Sequence, residues 1–336
     1  MMNSRQRGIV WEEYLSSYGV LRSLFFVGFS SFILHPSLQT MTTLAIIPAR
    51  YGSTRFPGKP LADLCGKPLI ARVVERAREA RRVDDVIVAT DDERILRAVE
   101  AHGGHAVMTS PDCASGSDRI AEVAAMFPEA ALIVNVQGDE PLMPPEVIDR
   151  AIAALESDPE CAVSTAMIRI TNEADYLSPH VVKVVCDREG RALYFSRSPL
   201  PNLTRATEEE KQTYGAQFGA GASDRSDASD ASDASDGSDG SDASDRSDVS
   251  DTPAIPFWGF KHFGLYVYRR EALLRFVSMP PAALERIEKL EQLRFLENGM
   301  RIRVVETALD SIGVDTPEDL ERARRIMSRA GKNSRL

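Results

Sequence analysis

From residue 42 onward, short apolar runs rich in β-branched residues alternate with longer amphipathic stretches. Residues 44–47, 86–90, 106–108 and 131–136 read as strands. Helical spacing fills about 68–80, 92–102, 117–126 and 144–156. The last of these helices opens Pro-Pro-Glu, a good first-turn signal. Strands that are apolar throughout and alternate with helices predict a mostly parallel sheet covered on both faces.

The rhythm changes after Cys161. Residues 162–169, 181–186, 192–196 and 261–269 are strand-like, and Asp187-Arg188-Glu189-Gly190 forms a tight turn between two of them. This run predicts antiparallel additions beside the main sheet. Helices follow over about 271–277 and 284–298, the second stopped by Gly299, then a strand at 302–306. Thr316-Pro-Glu-Asp predicts a final helix with Thr316 as its N-cap.

The first strand leads into a loop carrying Gly52, Gly58, Arg50, Arg55 and Lys59. Small residues let backbone N–H groups approach phosphate oxygens, and the cations balance their charge, so this loop suits a polyphosphate. It matches neither G-x-x-x-x-G-K-[ST] nor G-x-G-x-x-G. Ligands of open parallel sheets sit beyond the carboxyl ends of the strands. Gln137-Gly138-Asp139 falls there, and Gly313-Val314-Asp315 repeats glycine followed by carboxylate at a helix mouth. Asp139 and Asp315, with phosphate oxygens, would make a hard-cation site for Mg²⁺. Taken alone, Asp315 reads first as a carboxylate next to an N-cap, favoured by the helix dipole.

The net charge of −10 alters little. Ser223–Asp251 is a Ser-Asp repeat with ten Asp and two Arg, contributing −8, so the remainder carries −10 − (−8) = −2. That balance argues against a broad nucleic-acid-binding face. With its flanks, 206–252, the repeat reads as a disordered acidic insertion in a single domain spanning 42–330. Four scattered cysteines with no C-x-x-C pair fit a reducing cytoplasm. Residues 1–41 read as an N-terminal extension, disordered or upstream of a natural start at Met41, with an amphipathic membrane-contact segment as the alternative. Their apolar run, 24–34, is too short to span a bilayer, so no stable membrane insertion is expected.

The stretches IIPARYGSTRFPGKPL, VIVATDD, SGSDRIAEV, VNVQGDEP, VVKVV, ALYFSR, KHFGLYVYR, IEKLEQLR and GVDTPEDL occur collinearly from about Leu44 to Met327. Together they resemble the CMP-Kdo synthetases (3-deoxy-manno-octulosonate cytidylyltransferases). These are nucleotidyltransferases of the glycosyltransferase-A-like α/β fold. The first block alone would also admit the sialic-acid-activating enzymes; ALYFSR and the H-x-G-x-Y-x-Y and LEQLR runs favour Kdo.

The resemblance implies a cytidylyltransferase that joins CTP and Kdo into CMP-Kdo, releasing pyrophosphate, for lipopolysaccharide biosynthesis. It also implies a homodimer. Arg50, Arg55 and Lys59 would grip the triphosphate. Ser115, Gly116 and Arg119 would contact the nucleotide, with Asp91 near the cytidine. Asp139 and Asp315 would hold Mg²⁺, and with Lys59 they form the expected catalytic set. Gln137, Arg197, His262, Tyr266, Glu291 and Gln292 would receive the sugar, Arg197 taking its carboxylate through bidentate geometry. Three other readings remain: a sialic-acid cytidylyltransferase, a non-catalytic nucleotide- or sugar-binding protein on the same fold, and a polysaccharide glycosyltransferase. The last would normally carry an ordered D-x-D-type metal motif after a strand.

Overall fold

The computed structural model describes residues 42–52, 55–218 and 257–333, so the expected extension at 1–41 lies outside the described residues. Among the described residues nine strands form one sheet: β1 Thr42–Ala49, β2 Asp85–Thr90, β3 His105–Met108, β4 Ala130–Asn135, β5 Cys161–Arg169, β6 Lys183–Cys186, β7 Ala192–Ser196, β8 Phe260–Arg269 and β9 Arg301–Thr307. The main order is β3-β2-β1-β4-β8-β5-β9. Strands β1 to β4 pair in parallel, as do β5 and β9.

Alternate residues of β1 and β4 enter different halves of the core. Ala45, Ile47, Leu132 and Val134 join helices Leu69–Arg78 and Pro145–Ser157 on one face. Leu44, Ile46 and Ile133 join Ile120 and Val123 of helix Gly116–Ala124 on the other. Each fully buried Leu, Ile or Val contributes about 1.5–3 kcal/mol, so burial on both faces strongly fixes these central strands.

Strand β8 runs antiparallel between β4 and β5 rather than at the sheet's edge, and the β6–β7 hairpin hangs from its start. The expected antiparallel extension is therefore that hairpin, while β8 is an internal strand. Opposite Thr165/Ala166, β8 bulges, because Thr165 faces Tyr266 while Ala166 faces Phe263. A bulge of this kind re-aims side chains. Here it falls beside the Gln137 side chain, whose Cγ is 3.8 Å from where a Cβ on Gly264 would lie.

Two segments depart from the sequence reading. The single helix expected over 284–298 is two, Ala283–Glu288 and Leu293–Glu297, broken where Lys289 adopts a left-handed conformation (φ 57°). No glycine or proline marks that break. Within the stretch read as disordered, Glu208–Ala216 is a helix. Thr207 caps it reciprocally with Glu210, and Tyr214 packs edge-on against Phe257 and Phe260. The remainder of that stretch, from 219 to 252, lies outside the described residues.

Candidate active site

The loop after β1 is built around Tyr51. Gly58 donates its N–H to the Tyr51 carbonyl at 3.1 Å and sits at φ 72°. A Cβ there would meet the Tyr51 ring at 3.1 Å, so both conformation and space call for glycine. The Arg94 guanidinium covers the Tyr51 ring at 3.5 Å. The chain then turns into a 3-10 turn, Lys59–Leu61, which starts with the lysine.

Lys59 Nζ donates to Asp139 Oδ2 at 2.8 Å and to Asp315 Oδ1 at 3.1 Å. Arg55 Nη2 lies 3.0 Å from Asp315 Oδ2. Two backbone features hold the carboxylates in place. A side chain at Gly138 would put its Cβ 2.6 Å from the Pro48 carbonyl, so the β4 turn passes this close to β1 only as glycine. The Val314 N–H donates to the Asp139 carbonyl at 2.8 Å, tying the two carboxylate-bearing loops together. Thr316 is the expected N-cap and exchanges hydrogen bonds with Asp319, to which the Asp315 N–H also donates. Nearby, burial pushes the Glu140 carboxyl up to about 7, opposed by a hydrogen bond donated by the Ser311 hydroxyl.

Arg50, Arg55, Lys59, Asp139 and Asp315 line one cavity of about 460 Å³. Its opposite wall includes Ser115, Gly116 and Arg119 of helix Gly116–Ala124. Ser115 is its N-cap, exchanging hydrogen bonds with Asp118. Arg119 is buried; its guanidinium donates to Asp91 Oδ2 at 2.8 Å and to the Thr109 hydroxyl. The structure thus joins Asp91 and Arg119 to each other, with Asp91 behind the cavity wall.

A second cavity, about 240 Å³, adjoins the first through the shared residues Gly116, Gln137 and Glu291. Tyr266 and Gln292 also line it. Glu291 accepts from the Ser117 hydroxyl at 2.7 Å, and Gln137 donates to Asn135 Oδ1 at 3.0 Å. Glu291 lies between the two short helices, so the left-handed turn at Lys289 brings it here rather than to a helix face. Burial, then Tyr268 and Glu291, raise the Tyr266 phenol well above its usual range, which keeps it a neutral donor.

Two predicted sugar residues line neither cavity. His262 is packed edge-on against Phe195, and its Nε2 lies 2.9 Å from Thr165 Oγ1. That hydroxyl donates to the Leu265 carbonyl at 2.6 Å, so it accepts from an Nε2–H of the imidazole. Burial lowers the imidazole pKa to about 3, so the ring is neutral. Arg197 donates from Nε to the Glu288 carbonyl at 3.1 Å and from Nη1 to the Pro179 carbonyl at 3.2 Å. Conversely, Asn135, Tyr268 and Lys289 line the second cavity without having been singled out. Asn135 left a signal, as a polar residue inside an otherwise apolar strand.

Among the described residues no three His, Cys, Asp or Glu side chains gather as a metal group. Asp139 and Asp315 nevertheless converge on one cation, Lys59, so two hard oxygen donors already face a shared positive centre. That donor set fits an oxygen-seeking divalent ion completed by phosphate and water.

An open, largely parallel sheet with a cationic loop at its carboxyl edge and paired carboxylates beside a polar second cavity defines a nucleotidyltransferase. Comparison with known proteins narrows the class. The family described as cytidylyltransferase matches residues 44–302. The 3-deoxy-manno-octulosonate cytidylyltransferase of Geobacter sulfurreducens is 51% identical over 84% of this chain and 98% of its own length. That of Geobacter metallireducens is 50% identical over 86% and 99%. A solved structure of CMP:2-keto-3-deoxy-manno-octonic acid synthetase complexed with CTP superposes with a TM-score of 0.69 at 36% identity, covering 86% of this chain and 99% of that one. The chain belongs to the cytidylyltransferase family, on its 3-deoxy-manno-octulosonate cytidylyltransferase branch.

Proposed function

We propose that the two adjoining cavities carry out CTP-dependent activation of 3-deoxy-manno-octulosonate (Kdo), giving CMP-Kdo and pyrophosphate. The observation that carries this reading is the Lys59–Asp139–Asp315 centre, set in the wall of a cationic cavity that adjoins a hydroxyl-rich one. Relatives about 50% identical over nearly their whole length bear this activity in their names.

In this reading the triphosphate lies in the larger cavity against Arg50, Arg55 and Lys59. The sugar lies in the smaller one against Gln137, Tyr266, Glu291 and Gln292. The anomeric hydroxyl oxygen of the sugar bonds to the α-phosphorus. The bond to the α–β bridging oxygen breaks, and pyrophosphate leaves with that electron pair. The hydroxyl proton passes to solvent. Positioning and charge neutralisation supply the acceleration, with no enzyme nucleophile. Asp139 and Asp315 would hold Mg²⁺, which when bound would neutralise phosphate charge and acidify the attacking hydroxyl.

The guanidinium of Arg197 bonds only to carbonyl oxygens and has no ion pair among the described residues. In this reading it turns to the sugar carboxylate from beside Glu288, which leads into the Lys289–Gln292 wall of the smaller cavity. We read the protein as a cytoplasmic homodimer, and among the described residues no helix is long and apolar enough to cross a membrane. The test is pyrophosphate release from CTP with Kdo, with sialic acid, and with neither. Release with Kdo alone supports the assignment, and faster release with sialic acid overturns the sugar.

A further inference from the structure

Lys183, on β6, has no solvent exposure, yet no carboxylate among the described residues lies within ion-pair distance of it. Burying an ammonium is costly unless each N–H finds an acceptor. Here Nζ donates to three carbonyls: Ser178 at 2.6 Å, Val181 at 2.9 Å and Arg197 at 2.8 Å. Burial, and then the charge of Arg197, lower its pKa, so the pair is held together against repulsion.

The Arg197 peptide is gripped from the other end as well. Its N–H donates to Glu288 Oε2 at 3.0 Å, and Ser196 Oγ donates to Glu288 Oε1 at 2.6 Å. Lys183 thus fixes the carbonyl of Arg197, and Glu288 fixes its amide. Glu288 also leads directly into Lys289–Gln292, one wall of the smaller cavity. The hairpin and that wall are therefore one bonded unit.

We propose that Lys183 is a positioning residue for the acceptor, anchoring the Arg197 peptide so that the guanidinium meets the carboxylate of an acidic sugar. The proposal rests on the reading in which Arg197 takes that carboxylate. Lys183 itself touches no substrate. Its loss acts on sugar capture and leaves nucleotide binding alone.

A double-mutant cycle of Lys183→Met and Arg197→Ala tests this, with kcat and the KM values for Kdo and CTP measured for each variant. Lys183→Gln, which keeps N–H donors for the carbonyls, is measured in parallel and should bring the KM for Kdo at least severalfold back toward native from its Lys183→Met value. The expected result is a KM for Kdo raised about tenfold or more in Lys183→Met and in Arg197→Ala. The KM for CTP should stay within about twofold, and the double variant should be no worse than Arg197→Ala alone. An unchanged KM for Kdo in Lys183→Met, no recovery in Lys183→Gln, or effects that multiply in the double variant, overturns the proposal. An unchanged KM for Kdo in Arg197→Ala instead removes the carboxylate reading of Arg197, and the role of Lys183 with it.

Discussion

Lys59 and Asp139 meet at 2.8 Å across the gap between two strand ends, and the same ammonium reaches Asp315 at 3.1 Å. Three distant stretches of chain therefore share one charge centre. Opposite charges at this range attract, and the pairing holds both carboxylates in place for a cation or for phosphate-bound metal. Lys59→Met should remove both the pairing and a phosphate contact. We expect kcat/KM for CTP to fall by at least about a hundredfold, read by steady-state kinetics with the fold checked by circular dichroism.

Gly138 has a different kind of importance. A Cβ there would stand 2.6 Å from the Pro48 carbonyl, an oxygen that cannot rotate away. Gly138→Ala must therefore separate β1 from the β4 turn. The expected loss is at least about 2 kcal/mol in urea denaturation, together with reduced turnover because Asp139 moves with the turn. Unchanged stability would show that the two strands are not packed this tightly.

The pair Glu285–Arg294 is nearly as buried as the core, and Arg294 also donates to the Phe276 and Met279 carbonyls. Arg294→Met leaves the carboxylate unpaired in that setting. Removing one partner of such a pair costs about 3–5 kcal/mol. The loss should appear in chemical denaturation, whereas the KM values of the surviving folded enzyme should hold, since neither residue lines the two cavities of the site.

His262 predicts a signed pH effect. Its pKa falls from 6.5 in the unfolded chain to about 3 in the fold because burial disfavours the charged ring. The unfolded state then binds the extra proton first. The contribution of His262 is fully present above pH 6.5 and is lost progressively as pH falls toward 3. Stability curves of the native protein and of His262→Gln should converge over that window. Parallel curves would mean that the ring titrates normally.

Much of this architecture was legible because the physics behind it is local. The apolar strand at 44–47, the cationic glycine loop and the carboxylates after Gly138 and Gly313 each announce themselves within a few residues. What stayed hidden depends on distant partners. The place of β8 between β4 and β5 follows from long-range pairing that no period reveals. The helix break at Lys289 lacks the glycine that usually marks a left-handed residue. Helix Glu208–Ala216 has little apolar periodicity, and its main anchor, Tyr214, docks on aromatic residues more than forty positions away. The burial of Arg119 follows from Asp91 and Thr109 on neighbouring strand ends, and nothing in its own turn announces it.

The most direct measurement compares pyrophosphate release in the native protein, Asp139→Asn and Asp315→Asn, with CTP affinity measured separately by calorimetry. The two-carboxylate account predicts release that requires CTP, Kdo and Mg²⁺ together. It also predicts a drop of at least about a hundredfold in either variant while CTP affinity changes far less. Turnover within a few-fold of native in either variant would contradict it.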